Sequence, residues 1–120
     1  MYPVEKRFYD EFKNSMNLVY HPVIKVDNVR WFPDFIDTST KVYYEVINSR
    51  QTFYEHYRKG HLDKTIRKGH KLILAVFLRE LGVFALDEYK GDSRLWISRY
   101  VYGIKEGFYE RNYGDGTKLF

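Results

Sequence analysis

The chain has 120 residues, 44% of them hydrophobic and 19% aromatic, enough apolar surface for one core and little for a second domain. Its 20 Lys and Arg against 16 Asp and Glu give a formal charge of +4, which favours an anionic partner, and the absence of cysteine excludes disulfides, thiolate metal sites and thiol nucleophiles. No apolar stretch has the length of a signal peptide or approaches the roughly 20 residues of a membrane span, so a soluble, cytoplasmic chain with no membrane partner is expected.

Val4, Phe8, Phe12 and Met16 recur every four residues and predict a first helix from about Pro3, a favourable first helical residue, to Asn14. Leu18 to Val26 is apolar and β-branched, interrupted by Pro22, which confines that part to an edge or a bulge. Asp27-Asn28 turns the chain, Val29 to Ile36 is a second strand, Asp37-Thr38-Ser39-Thr40 a turn, and Val42 to Ile47 a third strand. These three runs are spaced for an antiparallel meander. Asn48 or Ser49 can cap a second helix over Arg50 to Lys68, with Gly60 able to kink or split it. Leu72 to Leu78 (LILAVFL) is a continuous apolar run, as expected of a strand covered on both faces. Val83 to Tyr89 and Arg94 to Tyr102 suggest an appended hairpin (about 83–104), and Tyr113 to Phe120 a loose tail. The fold class is therefore α/β (α+β), an αβββαβ core over about residues 3–78 with a C-terminal hairpin, in one domain.

The segment FPDFIDTSTKVYYEVI can bring two acids together. If the turn at 37–40 sets Ile36 opposite Lys41, Asp34 lies opposite Tyr43 and diagonal to Glu45 on the same face. Diagonal Cα atoms are about 7 to 8 Å apart, close enough for two carboxylates to share one ion. A slip of one residue would put them on opposite faces and remove the site. An acid embedded in Val42-Tyr43-Tyr44-Glu45-Val46-Ile47 is also costly to leave unpaired.

Pro33-Asp34, ten intervening residues and Glu45-Val46-Ile47, set in the order helix, three strands, helix, strand, resemble the PD-(D/E)XK nuclease superfamily over about residues 3–78. The resemblance implies a Mg²⁺- or Mn²⁺-dependent nuclease with Asp34 and Glu45 as catalytic metal ligands, the Val46 carbonyl as a further ligand, and a glutamate from the first helix, Glu5 ahead of Glu11. It departs from the family at Ile47, which stands where the family has the lysine that activates water and stabilises charge at phosphorus. Lys41 shares the face of Glu45 but lies about 13 Å away along the strand, at roughly 3.3 Å per residue. Gln51, with Arg50 beside it, is better placed to take the lysine's catalytic role. Small phage or mobile-element nucleases are the implied relatives.

Between Arg50 and Lys71 lie seven basic residues and only two acids, Glu55 and Asp63. Arg50, Arg58, Lys59, Lys64, Arg67 and Lys68 are the expected contacts to a phosphate backbone, DNA ahead of RNA. His56 and His61, five apart, diverge on a continuous helix and read as surface histidines. Phosphodiester hydrolysis and metal-free nucleic-acid binding on the same fold both remain open at this level, and the aromatic content admits a homodimer.

Overall fold

Phe8 is fully buried and marks the inner stripe of α1 (Pro3–Phe12), after which the amides of Ser15 and Met16 turn back onto the Phe12 carbonyl. The computed structural model describes residues 1–79 and 81–91, without the side chains of Arg50, Gln51 and Tyr54. Arg94 to Tyr102 and the tail at 113–120 lie outside the described residues.

The next two expected strands are each cut in two. β1 (Leu18–Tyr20) and β2 (Ile24–Val26) flank Pro22, and β3 (Val29–Trp31) and β4 (Phe35–Asp37) flank Pro33. β1 pairs with β4, and β2 pairs with β3 around the two-residue turn Asp27-Asn28, both of whose residues have positive φ. That backbone matches the twist of the flanking strands in a tight hairpin. The two ladders share one register, Leu18 with Asp37 and Ile24 with Trp31, so this is a single long hairpin interrupted midway. Counting inward, Pro22 stands across from Pro33, and neither has an amide to continue the ladder. His21, with φ 53°, completes the break. The base of the hairpin belongs to the main sheet, while its tip forms a separate two-stranded arm.

β4 returns through a turn at 38–41 into β5 (Val42–Ile47), with Phe35 opposite Tyr44 and Asp37 opposite Val42. This corrects the expected pairing of Ile36 with Lys41: Ile36 faces Tyr43. The turn closes two residues later because Lys41 takes a left-handed φ of 63° and its amide reaches the Asp37 carbonyl at 2.8 Å. The Asp37 carboxylate anchors the turn by accepting from the amides of Asn17 and Ser39 and from the Ser39 hydroxyl. A shift of two preserves the face of every side chain.

Ser49 caps α2 (Arg50–Arg58), accepting from the Thr52 amide at 3.1 Å. Gly60, with φ +75°, ends that run and opens α3 (His61–Arg67), so the expected long helix is a pair. The chain then enters β6 (Leu72–Leu78), parallel to β5, and β7 (Val83–Glu88), antiparallel to β6. β7 is thus the fifth strand of the main sheet, ordered β1-β4-β5-β6-β7, and the expected partner of its hairpin lies outside the described residues. The fold is α+β, and among the described residues no helix is long and apolar enough to cross a membrane.

Among the described residues, two clusters of buried residues cover the sheet. Phe8, Phe35, Tyr44, Val46, Ala75 and Phe84 pack on the α1 side. Ile47, Phe53, Leu62, Leu72, Leu74 and Val76 pack on the α2–α3 side, joined there by Ile24 and Trp31 of the arm. Trp31 donates its indole N–H to the Thr65 hydroxyl at 2.9 Å, fastening the arm to α3. The break between sheet and arm therefore opens at the strand end, between the two layers.

Candidate metal centre and cleft

Asp34 occupies that break, one residue before β4. By extension of the β4–β5 register it stands opposite Glu45, not diagonal to it. Its Oδ2 accepts the Val46 amide at 2.7 Å, which fixes the carboxylate against β5. Glu45 points to the α2–α3 side with Tyr43 and Ile47 and is 1% exposed. Glu5 comes from the first turn of α1 and accepts the Tyr2 amide at 2.9 Å and the Tyr20 hydroxyl at 2.8 Å. Asp34 is hydrogen-bonded to both acids, so the three carboxyl groups form a chain from Glu45 through Asp34 to Glu5.

Burial dominates the electrostatics of this chain. Desolvation lifts Glu45 well above the usual carboxylate range, aided by the hydrogen bond to Asp34 and the charges of Asp34 and Glu5. Desolvation likewise pushes Asp34 up to about 7, reinforced by Glu5 and opposed by Glu45 and the Val46 amide. Glu5 goes the other way: burial pushes it up, but hydrogen bonds from Asp34, Tyr2 and Tyr20 and the charge of His21 outweigh it. Burial thus favours the protonated form at Asp34 and Glu45 and leaves Glu5 the readiest of the three to carry charge. One atom is left over, since Glu45 Oε2 is buried with no hydrogen-bond partner among the described residues.

Glu5, Asp34 and His21 each offer a ligand atom, all within 4.8 Å of one another. Two carboxylates and an imidazole in one place are a donor set suited to a divalent cation. Of the residues expected to hold metal, Asp34, Glu45 and Glu5 are joined by hydrogen bonds, Glu45 standing behind Asp34 and outside the tight group. Val46 lines the same cleft and contributes its amide to Asp34. Gln51 is in the first turn of α2, its side chain outside the described part. Glu11 is exposed on α1. Ile47, at the lysine position, is 2% exposed in the core beneath α2 and α3.

The acids lie in a cleft of about 970 Å³ that also exposes Arg7, Arg30 and Arg79. Arg7 is tethered, donating to the Gly82 carbonyl at 3.2 Å with its guanidinium 4.8 Å from the Phe77 ring centroid. Arg58, Lys59, Lys64, Arg67 and Lys68 do not line this cleft. Lys64, Arg67 and Lys68 instead meet Lys25 in a second groove of about 560 Å³ between α3 and the tip of the arm, where the Lys68 ammonium donates to the Lys25 carbonyl. Arg58 and Lys59 are exposed at the end of α2. The α2–α3 concentration of charge was legible as a count but not as a place, because the split at Gly60 redirects α3.

The same split overturns the expected divergence of His56 and His61. Their rings are 6.2 Å apart, both partly buried, and His61 stacks on Trp31 at 5.1 Å. His21, Arg30 and Arg79 were not singled out from sequence either. For His21 a signal existed: a two-residue turn at Asp27-Asn28 counts His21 directly across from Asp34. Comparisons with protein-family models, with curated proteins and with solved structures each return no match.

Proposed function

We propose that the chain is a metal-dependent nuclease of the PD-(D/E)XK type that hydrolyses nucleic-acid phosphodiesters, DNA ahead of RNA. The observation that carries this reading is the convergence of Glu5, Asp34 and Glu45, from a helix, a strand break and a buried strand, on one arginine-bearing cleft. The element order, a helix, an antiparallel meander, a helical crossover and a strand parallel to the last, agrees with the order that the resemblance implies.

Asp34, Glu5 and His21 would hold the ion, Mg²⁺ or Mn²⁺, with Glu45 behind them and the Val46 amide fixing the orientation of Asp34. Such an ion, when bound, supplies positive charge to the phosphoryl oxygens and activates water. The chain's own residues do the rest. Tyr20 and the Tyr2 amide hold Glu5 in place. Arg30 and Arg79 offer guanidinium groups to phosphate, a bidentate match of charge and shape. They stand in for the positive charge that Ile47 lacks.

The test is cleavage of single-stranded and duplex DNA and RNA with Mg²⁺ or Mn²⁺. Activity that EDTA and Asp34→Ala both abolish supports the reading, and activity untouched by either overturns it. A second reading, a nucleic-acid-binding module that does not cut, is favoured by one observation: Ile47 is sealed in the core, so no group from the lysine position reaches the cleft. It predicts salt-sensitive binding that persists in EDTA and in Asp34→Ala.

A further inference from the structure

The mouth of the cleft carries aromatic rings that the core does not use. Phe32 is 50% exposed and Tyr2 is 73% exposed, and both line the cleft that holds the acids. His21, also exposed and on the same cleft, lies flat on Tyr20 at 3.9 Å with its ring centroid 6.2 Å from that of Phe32. One exposed apolar ring on a surface needs no explanation, but several around one concavity do. Phe32 sits in the hairpin break, two residues before Asp34, and the neighbouring Pro33 is buried. The backbone on one side of Phe32 is therefore fixed while its ring is left in solvent.

The surroundings say what kind of partner these rings suit. Arg30 and Arg79 face the same cleft, and neither makes an ion pair among the described residues. Apolar rings alone would suit an apolar peptide. Rings interleaved with unpaired guanidinium groups suit a polyanion that also presents flat apolar faces, which describes a nucleic-acid strand. In a duplex those faces are stacked on neighbouring bases within the helix, so a side-chain ring reaches them only where the strand is unpaired or at an end.

We infer that the cleft takes an unpaired stretch of strand, with bases against Phe32 and Tyr2 and phosphates against Arg30 and Arg79. This deepens the nuclease reading and rests on it for the identity of the substrate, while its own readout is binding and does not need cleavage. Stacking of this kind changes affinity by about fivefold or more per base when the ring is removed.

The experiment is fluorescence anisotropy of the full chain in Ca²⁺, in place of the ions proposed to support cutting, with labelled poly(dT), alone or paired with poly(dA). The expected result is that the free strand binds about tenfold or more tightly than the duplex. Phe32→Ala should lose about fivefold or more on the strand and little on the duplex, and Phe32→Trp should restore the loss. Equal or tighter binding of the duplex overturns the inference, as does unchanged strand binding by a Phe32→Ala protein whose circular dichroism matches the parent. Metal-dependent cutting of duplex DNA without strand preference would sink this inference and leave the nuclease reading standing. Strand preference lost in Phe32→Ala, with no cutting of any substrate, would do the reverse. Absence of binding to either probe at low salt would overturn both.

Discussion

The amide of His21 donates to the carbonyl of Asp34 at 2.9 Å across the broken hairpin, so the backbone itself delivers an imidazole beside a carboxylate. Nitrogen donors suit Mn²⁺ better than the harder Mg²⁺, which prefers oxygen and water. His21→Ala should therefore weaken Mn²⁺ binding roughly tenfold, about 1.4 kcal/mol, and Mg²⁺ binding much less. Thermal shift against metal concentration measures both, and equal losses for the two ions would remove His21 from the donor set.

The acid chain makes the metal-free protein pH-sensitive. Folded Asp34 keeps its proton to about pH 7, whereas the unfolded residue releases it near 3.8, and folded Glu45 is shifted the same way. Between those limits the folded state binds more protons than the unfolded one, so stability falls as pH rises through the range in which Asp34 and Glu45 ionise. Glu5, held low, has the opposite sign, but its contribution is lost only as pH falls below its ordinary value of 4.5. Melting temperatures in EDTA should decline from about pH 5 to pH 7. Asp34→Asn should flatten that slope, and an unchanged slope would show that the cluster does not titrate there.

Glu45 combines nearly complete burial with an oxygen that has no partner among the described residues, an arrangement that costs stability unless a cation or a proton answers it. Glu45→Gln should raise the melting temperature of the metal-free protein at about pH 8 by roughly 4 °C for each 1 kcal/mol of relief. The same substitution should abolish metal-dependent cleavage. A variant that is less stable and still active would assign Glu45 a structural role.

The identity of the acids was legible because sheet geometry is counted in twos. A pairing displaced by two residues still put Asp34 and Glu45 on one face, and Glu5 followed from the resemblance. What was not legible depended on backbone breaks. Pro22 and Pro33 were each visible, but their facing each other, which folds the arm off the sheet and carries His21 and Arg30 into the cleft, is a tertiary relationship between two weak local signals. Gly60 was visible too. Its left-handed φ sets the direction of α3, and that direction decides which basic residues share a groove.

Gly60→Ala tests that direction. A Cβ there would meet only the Lys64 side chain, at 3.7 Å, so the penalty comes from the φ of +75° and not from crowding. The cost should be about 1 to 2 kcal/mol, with Gly60→Asn losing less because asparagine tolerates this region. Chemical denaturation reads the difference, and a neutral Gly60→Ala would mean that α2 and α3 merge without harm.

Charge reversal of Lys64 and Arg67 separates the second groove from the cleft. Because neither residue lines the cleft, the double variant should bind long DNA more weakly, with a salt dependence shallower by about one to two phosphate contacts. Cleavage of a short oligonucleotide that spans only the cleft should be unchanged. If the short substrate suffers equally, the two grooves act as one surface.

The hairpin break also separates what can vary from what cannot. The acids are positioned by α1, β4 and β5, while the arm beyond Pro22 and Pro33 shares their register without supplying any of the three carboxylates. Two residues added to each side of Asp27-Asn28 would lengthen the arm by about 7 Å and return every existing side chain to its present face. The reach of the protein beyond its cleft can thus be redrawn, by insertion or by selection, with its chemistry left where it is.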